Sequence, residues 1–256
     1  MPAAQECPYP TRRLPGAWLI LPTYNEAENV AAIVRAALEQ LAATGREHTI
    51  LVVDDGSPDG TGAIADRLAE EHDAVRVLHR SEKLGLGRAY LAGFDVALAG
   101  GAELVLEMDA DFSHDPADLP RLIAAAGDAD VVLGSRYVAG GGEENWGALR
   151  RLLSRGGSWY ARTLLRVPVR DLTGGFKCFH RRVLETIDLN AVHADGYGFQ
   201  IELTYRALQA GFRVTEIPIR FRERREGHSK MTARIALEAV WKVPALRLRG
   251  QCRHRL

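Results

Sequence analysis

Cysteine is scarce in this chain, and Cys7, Cys178 and Cys252 stand far apart. Their spacing suits neither a zinc site nor a disulfide framework, which makes a reducing compartment the simpler setting. Long apolar runs are absent as well. None approaches the roughly 18 residues that a membrane-crossing helix requires. The stretch from Met1 to Arg13 is rich in proline and polar residues and lacks the apolar centre of a signal peptide. Charge of either sign is not in excess: the formal net charge is +0. The chain as a whole is therefore not built for a polyanion, and nucleic acid is not expected as a partner. No Gly-Lys-Ser or Gly-Lys-Thr phosphate loop occurs, and Gly85-Leu86-Gly87 lacks the third glycine of a dinucleotide fingerprint. These two glycines need do no more than permit a tight helix entry. The expected location is the cytoplasm, with the protein soluble or peripheral to a membrane.

What is present is a hydrophobic complement of 46% over 256 residues, enough to bury a real core. Short apolar runs at residues 17–21, 49–53, 74–78, 103–108 and 130–133 alternate with helical patterns. That alternation predicts an α/β fold with a mostly parallel sheet and helices on both faces. In such sheets ligands bind outside the carboxyl ends of the strands. Three polar loops fall there: Pro22-Thr23-Tyr24-Asn25-Glu26, the run 54–61 (Asp-Asp-Gly-Ser-Pro-Asp-Gly-Thr), and Asp109-Ala110-Asp111 with the four residues after it. Asn25 is expected to cap the first helix, with Glu26 and Glu28 in its first turn. Asp54 either positions a ligand or caps a turn. Along an extended strand Asp109 and Asp111 would share a side. Two carboxylates so close need a cation or donors, and Mg²⁺ is commonly held by one or two carboxylates plus substrate phosphates. An ordinary strand-end turn is the alternative, but three polar loops on one sheet edge favour the metal.

Beyond the fifth strand the alternation stops. Gly140-Gly141-Gly142 reads as a flexible loop and a candidate lid. The helix expected at 150–166 mixes leucine and tryptophan with Arg150, Arg151, Arg155, Arg162 and Arg166. It either lies on an anionic membrane or packs on the sheet with a solvated basic face. A last helix, 231–248, pairs apolar residues with Lys242 and Arg247, and basic residues far outnumber acidic ones from Arg206 onward. Both basic helices are expected at a membrane surface.

Taken in order, these pieces resemble the family-2 glycosyltransferases of GT-A fold, in particular the dolichol- or polyprenol-phosphate mannose synthases. The carrying motifs are Leu-Pro-Thr-Tyr-Asn-Glu at 21–26, the run at 53–61, Lys83-Leu84-Gly85-Leu86-Gly87, Met108-Asp109-Ala110-Asp111, Gly134-Ser135-Arg136-Tyr137, residues 171–177 and Gly227-His228-Ser229-Lys230. The resemblance implies metal-dependent, inverting transfer of mannose from GDP-mannose to a polyprenyl or dolichyl monophosphate. It implies that Pro22, Tyr24, Glu26, Val53 and Asp55 hold the nucleotide. Asp109, Ala110 and Asp111 would hold sugar and diphosphate, with Asp111 on Mg²⁺ or Mn²⁺. Ser113 stands where many members have Gln or Glu, and would be a shorter metal ligand. Arg136 would contact phosphate, Arg150 and Ser154 would grip the lipid phosphate, and Arg224 and Lys230 would close over the donor. Asp109, Asp111 and Arg136 are thus the expected catalytic set. His114 is expected to be a loop residue beside the site rather than a base. Glu202 either orients groups under the site or sits on a helix surface.

The alternatives within the fold are a polyprenyl-phosphate glucosyltransferase, another nucleotide sugar, or a soluble acceptor. A binding module without turnover is the alternative from another class. The expected organisation is an N-terminal segment at 1–15, a catalytic domain at 16–230 and an amphipathic helix with a basic tail at 231–256. Recruitment to the cytoplasmic face of a membrane would come from the lipid itself or from a small membrane-anchoring partner protein.

Overall fold

The structure, a computed structural model, describes residues 16–192, 196–223 and 243–247. The strands of the main sheet are β1 (Ala17–Thr23), β2 (His48–Asp54), β3 (Val75–His79), β4 (Leu104–Glu107), β5 (Val131–Ser135), β7 (Lys177–His180) and β8 (Val214–Pro218). Their order is β3-β2-β1-β4-β7-β5-β8. All pairings are parallel except those of β7, which runs antiparallel to both β4 and β5. Side-chain alternation splits the core into two layers. Trp18, Ile20, Leu51, Val53 and Val105 face one layer, and Leu19, Leu21, Ile50, Val52 and Leu106 face the other. That double burial is why these strands read as unbroken apolar runs.

The first layer is closed by α3 (Leu86–Gly100), α6 (Arg181–Thr186) and α7 (Tyr197–Gln209), and the second by α1 (Val30–Ala42), α2 (Thr61–Glu71) and α4 (Leu119–Ala125). Helix α3 lies close on the sheet because Gly93 has no side chain; a methyl there would come within 2.5 Å of Ile20. Gly85 caps α3 with φ of 103°, the tight entry expected of it.

Several expectations are corrected. The helix after β1 starts at Val30, not beside Asn25, and its first turn holds no acid. Asn25 is instead left-handed, with φ of 56°, so the chain turns before it coils and Glu26 and Glu28 precede the helix. The glycine loop is no open lid: β6 (Gly142–Glu143) pairs with β9 (Arg220–Phe221), and a methyl on Gly141 would meet the Ser135 carbonyl at 2.5 Å. Strand β4 stops at Glu107, so alternation along a strand does not govern Asp109 and Asp111. Of the last helix, expected at 231–248, residues 231–242 and 248 lie outside the described residues; 243–247 are helical, with Val243 and Leu246 buried in the first core layer. Arg247 Nη1 donates to the Leu164 carbonyl at 2.6 Å. No helix among the described residues is long and apolar enough to cross a membrane.

Candidate functional site

Between β1 and β4 the strand order reverses direction, the point at which open α/β sheets hold ligands beyond the carboxyl ends of their strands. The exit loop of β1 is held by the exit loop of β2. Ser57 Oγ accepts from Asn25 N at 3.0 Å, Thr61 Oγ1 from Glu26 N at 2.9 Å and Asp59 Oδ2 from Ala27 N at 3.0 Å. Asp54 is a turn residue: its carboxylate accepts from Ser57 Oγ at 2.5 Å, Ser57 N at 3.1 Å and Thr23 Oγ1 at 3.2 Å. Asp55 lies next to it, bonded to Arg80 Nη1 at 2.5 Å. Burial pushes the Asp55 carboxyl up, against the opposing pull of Arg80. Lys83 Nζ sits 4.0 Å from the centre of the Tyr24 ring. Tyr24, Glu26 and Asp55 thus line one wall, with Pro22 half-buried at its base. Val53 is fully buried in the core, so any ligand contact it makes runs through its backbone. Ala110 is buried as well, at 4% exposed.

The opposite wall is the exit of β4. Tyr90 Oη, from α3, donates to Asp109 Oδ1 at 3.4 Å. Asp111 is buried and accepts from Ser113 N at 3.0 Å, helped by a left-handed Phe112 between them, φ 60°. Ser113 Oγ is buried without a hydrogen-bond partner among the described residues. An orphaned oxygen beside a carboxylate is a donor set a hard cation can complete. No group of three or more His, Cys, Asp or Glu side chains among the described residues could hold a metal. A cation here would therefore draw its remaining ligands from a diphosphate. His114 is buried, stacked on Phe176 and edge-on to Phe221. Its Nδ1 accepts from Asp109 N at 3.3 Å. Burial pushes the ring down to about 4, so it stays neutral and is a poor base near neutrality.

Arg136 is fastened by a buried acid. Asp171 accepts from its Nε and Nη2, each at 2.7 Å, and from its backbone N at 3.0 Å. Burial alone would raise the Asp171 carboxyl, but the Arg136 charge and hydrogen bonds hold it below the usual carboxylate range. A cavity of about 420 Å³ opens beside this pair, lined by Arg136, Tyr137, Arg155, Trp159, Arg162 and Arg170 among others. Its long side is α5 (Ala148–Leu165). Ser158, Ala161 and Leu165 face inward, while Leu149, Leu152, Leu153 and Trp159 are each at least 67% exposed. The helix thus packs on the core, as one of the two expectations had it, but turns leucines and a tryptophan outward together with its arginines. Ser154 accepts from Tyr137 Oη at 2.7 Å. Arg150 covers the Trp146 ring at 4.1 Å and pairs with Glu223 at 3.1 Å.

Donor-side candidates and acceptor-side candidates thus flank one sheet edge. Arg224 and Lys230 lie outside the described residues. Glu202 is not on a helix surface: it is buried and paired with Arg206 at 2.6 Å. Sequence reasoning passed over Asp171 as a partner of Arg136, and over a polar layer beneath Asp109. There Glu107 faces Lys177 across β4 and β7, and Gln200 lies close by. Burial pushes Glu107 up to about 7 and Lys177 down to about 8. A charged residue interrupting each of two buried strands was the available signal.

Residues 18–188 match the family described as glycosyl transferase family 2. Over 256 residues the chain is 48% identical to a polyprenol monophosphomannose synthase of Mycolicibacterium smegmatis, covering 97% of this chain and 93% of that one. It is 47% identical over 221 residues to an undecaprenyl-phosphate mannosyltransferase of Micrococcus luteus, covering 86% and 89%. Its fold is shared with glucosyl-3-phosphoglycerate synthase of Mycobacterium tuberculosis, solved with Mn²⁺, UDP and phosphoglyceric acid. That match has a TM-score of 0.67 at 18% identity, over 90% of this chain and 78% of that one.

Proposed function

The chain is a member of glycosyl transferase family 2, and we propose that it transfers mannose from GDP-mannose to a polyprenyl monophosphate. The observation that carries this reading is the pairing of two unlike walls at one sheet edge. One bears carboxylates and a tyrosine, and the other a guanidinium-lined cavity beside exposed leucines. The relatives' names supply mannose and the polyprenyl acceptor. On the donor side Pro22, Tyr24, Glu26 and Asp55, with the backbone of Val53, hold the nucleotide. Asp109 and the backbone of Ala110 meet the sugar and diphosphate. Asp111 and Ser113 Oγ hold Mg²⁺ or Mn²⁺, which when bound neutralises the departing diphosphate.

The nucleophile is the acceptor's own phosphate, already anionic near neutral pH, so no side chain has to remove a proton. The burden on the protein is to bring two anions together, which guanidinium and ammonium groups do. Arg136, aimed by Asp171, works with Arg150 and Ser154 on the acceptor phosphate. Arg224 and Lys230 are assigned to the donor diphosphate. A neutral His114 adds no charge to the site. Attack opposite the leaving group inverts the anomeric carbon and yields a β-linked product.

The exposed leucines of α5 lie in the membrane boundary, with its arginines on anionic headgroups. These exposed residues support peripheral binding to a membrane, and the face we propose is the cytoplasmic one. The test is product analysis with radiolabelled GDP-mannose or UDP-glucose and a short polyprenyl phosphate. Label moving to the lipid from GDP-mannose alone is the expected result; transfer from UDP-glucose alone overturns the donor assignment.

A further inference from the structure

Gln200 sits early in α7, only 3% exposed, and neither its amide nitrogen nor its carbonyl oxygen has a hydrogen-bond partner among the described residues. Native folds rarely leave a buried carboxamide wholly unpaired. The residue is also firmly held. Lys177 Nζ and Thr204 Oγ1 both donate to its backbone carbonyl, at 2.8 and 3.0 Å. Its side chain looks toward Gly175. A methyl placed there would lie 3.4 Å from Gln200 Nε2 and 4.0 Å from Asp109 Oδ1. Gly175 is not among the residues of positive φ, so its backbone does not demand glycine. What the missing side chain leaves is a methyl-sized space with a carboxamide on one side and the donor-side carboxylate on the other.

We infer that Gln200 is a specificity residue for the donor, its carboxamide bonding hydroxyl groups of the hexose through the gap at Gly175. This rests on the donor reading above. A carboxamide both donates and accepts without charge, which suits vicinal hydroxyls better than a diphosphate. The nucleotide wall, at Tyr24 and Asp55, belongs to the exits of β1 and β2. Glu107 is the competing partner: the Gln200 amide lies close enough to its carboxyl to pull it down, although the two side chains fall short of hydrogen-bond geometry.

Calorimetry on the full chain in magnesium buffer separates these. GDP-mannose and GDP are titrated into the wild type, Gln200→Met and Gln200→Glu. Methionine keeps the length and removes both polar atoms; glutamate keeps the shape if methionine fails to fold. The expected result is a loss of roughly tenfold or more in GDP-mannose affinity with GDP affinity unchanged. Equal losses for both ligands, or no loss with a lowered melting temperature, mean that Gln200 only pairs with Glu107, and overturn the inference. A wild type that binds GDP but not GDP-mannose removes the donor reading and this inference with it. A wild type that binds GDP-mannose no better than the folded variants do removes the inference alone.

Discussion

Single side chains at this site are fixed by partners far away in sequence. Arg136 and Asp171 form a buried bidentate pair, and removing one member strands the other's charge. Asp171→Ala should cost about 3–5 kcal/mol of stability, readable by urea unfolding; a loss under 1 kcal/mol would mean that water reaches Arg136 freely. Asp111→Ala should behave oppositely. It lies in a loop after β4, so activity should fall by orders of magnitude with the melting curve nearly intact. Near-normal turnover would remove Asp111 from the metal site. His114 sets a pH dependence. Its folded value, about 4, lies below the ordinary 6.5, so between these values the unfolded chain binds the extra proton. Stability should therefore drop as pH falls from about 6.5 toward 4, by on the order of 3 kcal/mol. His114→Gln should flatten that slope, and identical slopes in the two proteins would show that other groups dominate acid unfolding.

Elements differ in how plainly the sequence announces them. Strands β1, β2 and β5 were legible because both faces are buried and the apolar run is continuous. Helices α4 and α6 were not, since 7 and 6 residues are too few for a helical period to stand out. The start of α1 was misplaced because Asn25 serves a left-handed turn, a use its residue type permits as readily as a cap. Helix α5 was legible as amphipathic, but which face points outward depends on the elements beneath it. With Leu149, Leu152, Leu153 and Trp159 outward, the protein should float with anionic vesicles at low salt and less so at high salt. Leu153→Glu combined with Trp159→Glu should abolish flotation while leaving the fold stable. Flotation unchanged in that double variant would assign membrane contact to another surface. The described part of the last helix, by contrast, spends its apolar residues on the core.

At the scale of the molecule, the donor wall was legible because its loops follow consecutive strands, and two acids ending an apolar run are conspicuous. The Arg136–Asp171 pair and the Glu107–Lys177–Gln200 layer were not, because each joins segments that only the folded sheet brings together. One strand is responsible for much of that joining. β7 enters between β4 and β5, although it is made some 40 residues after β5. During synthesis the β1–β2–β3 half can pair as it emerges, while β4 and β5 must wait with bare edges. Bare edges invite pairing with other chains. The last third of this protein therefore acts as the keystone of its own assembly. A nascent chain halted just before residue 177 should be the most aggregation-prone length, and one carried past residue 218 should be protected.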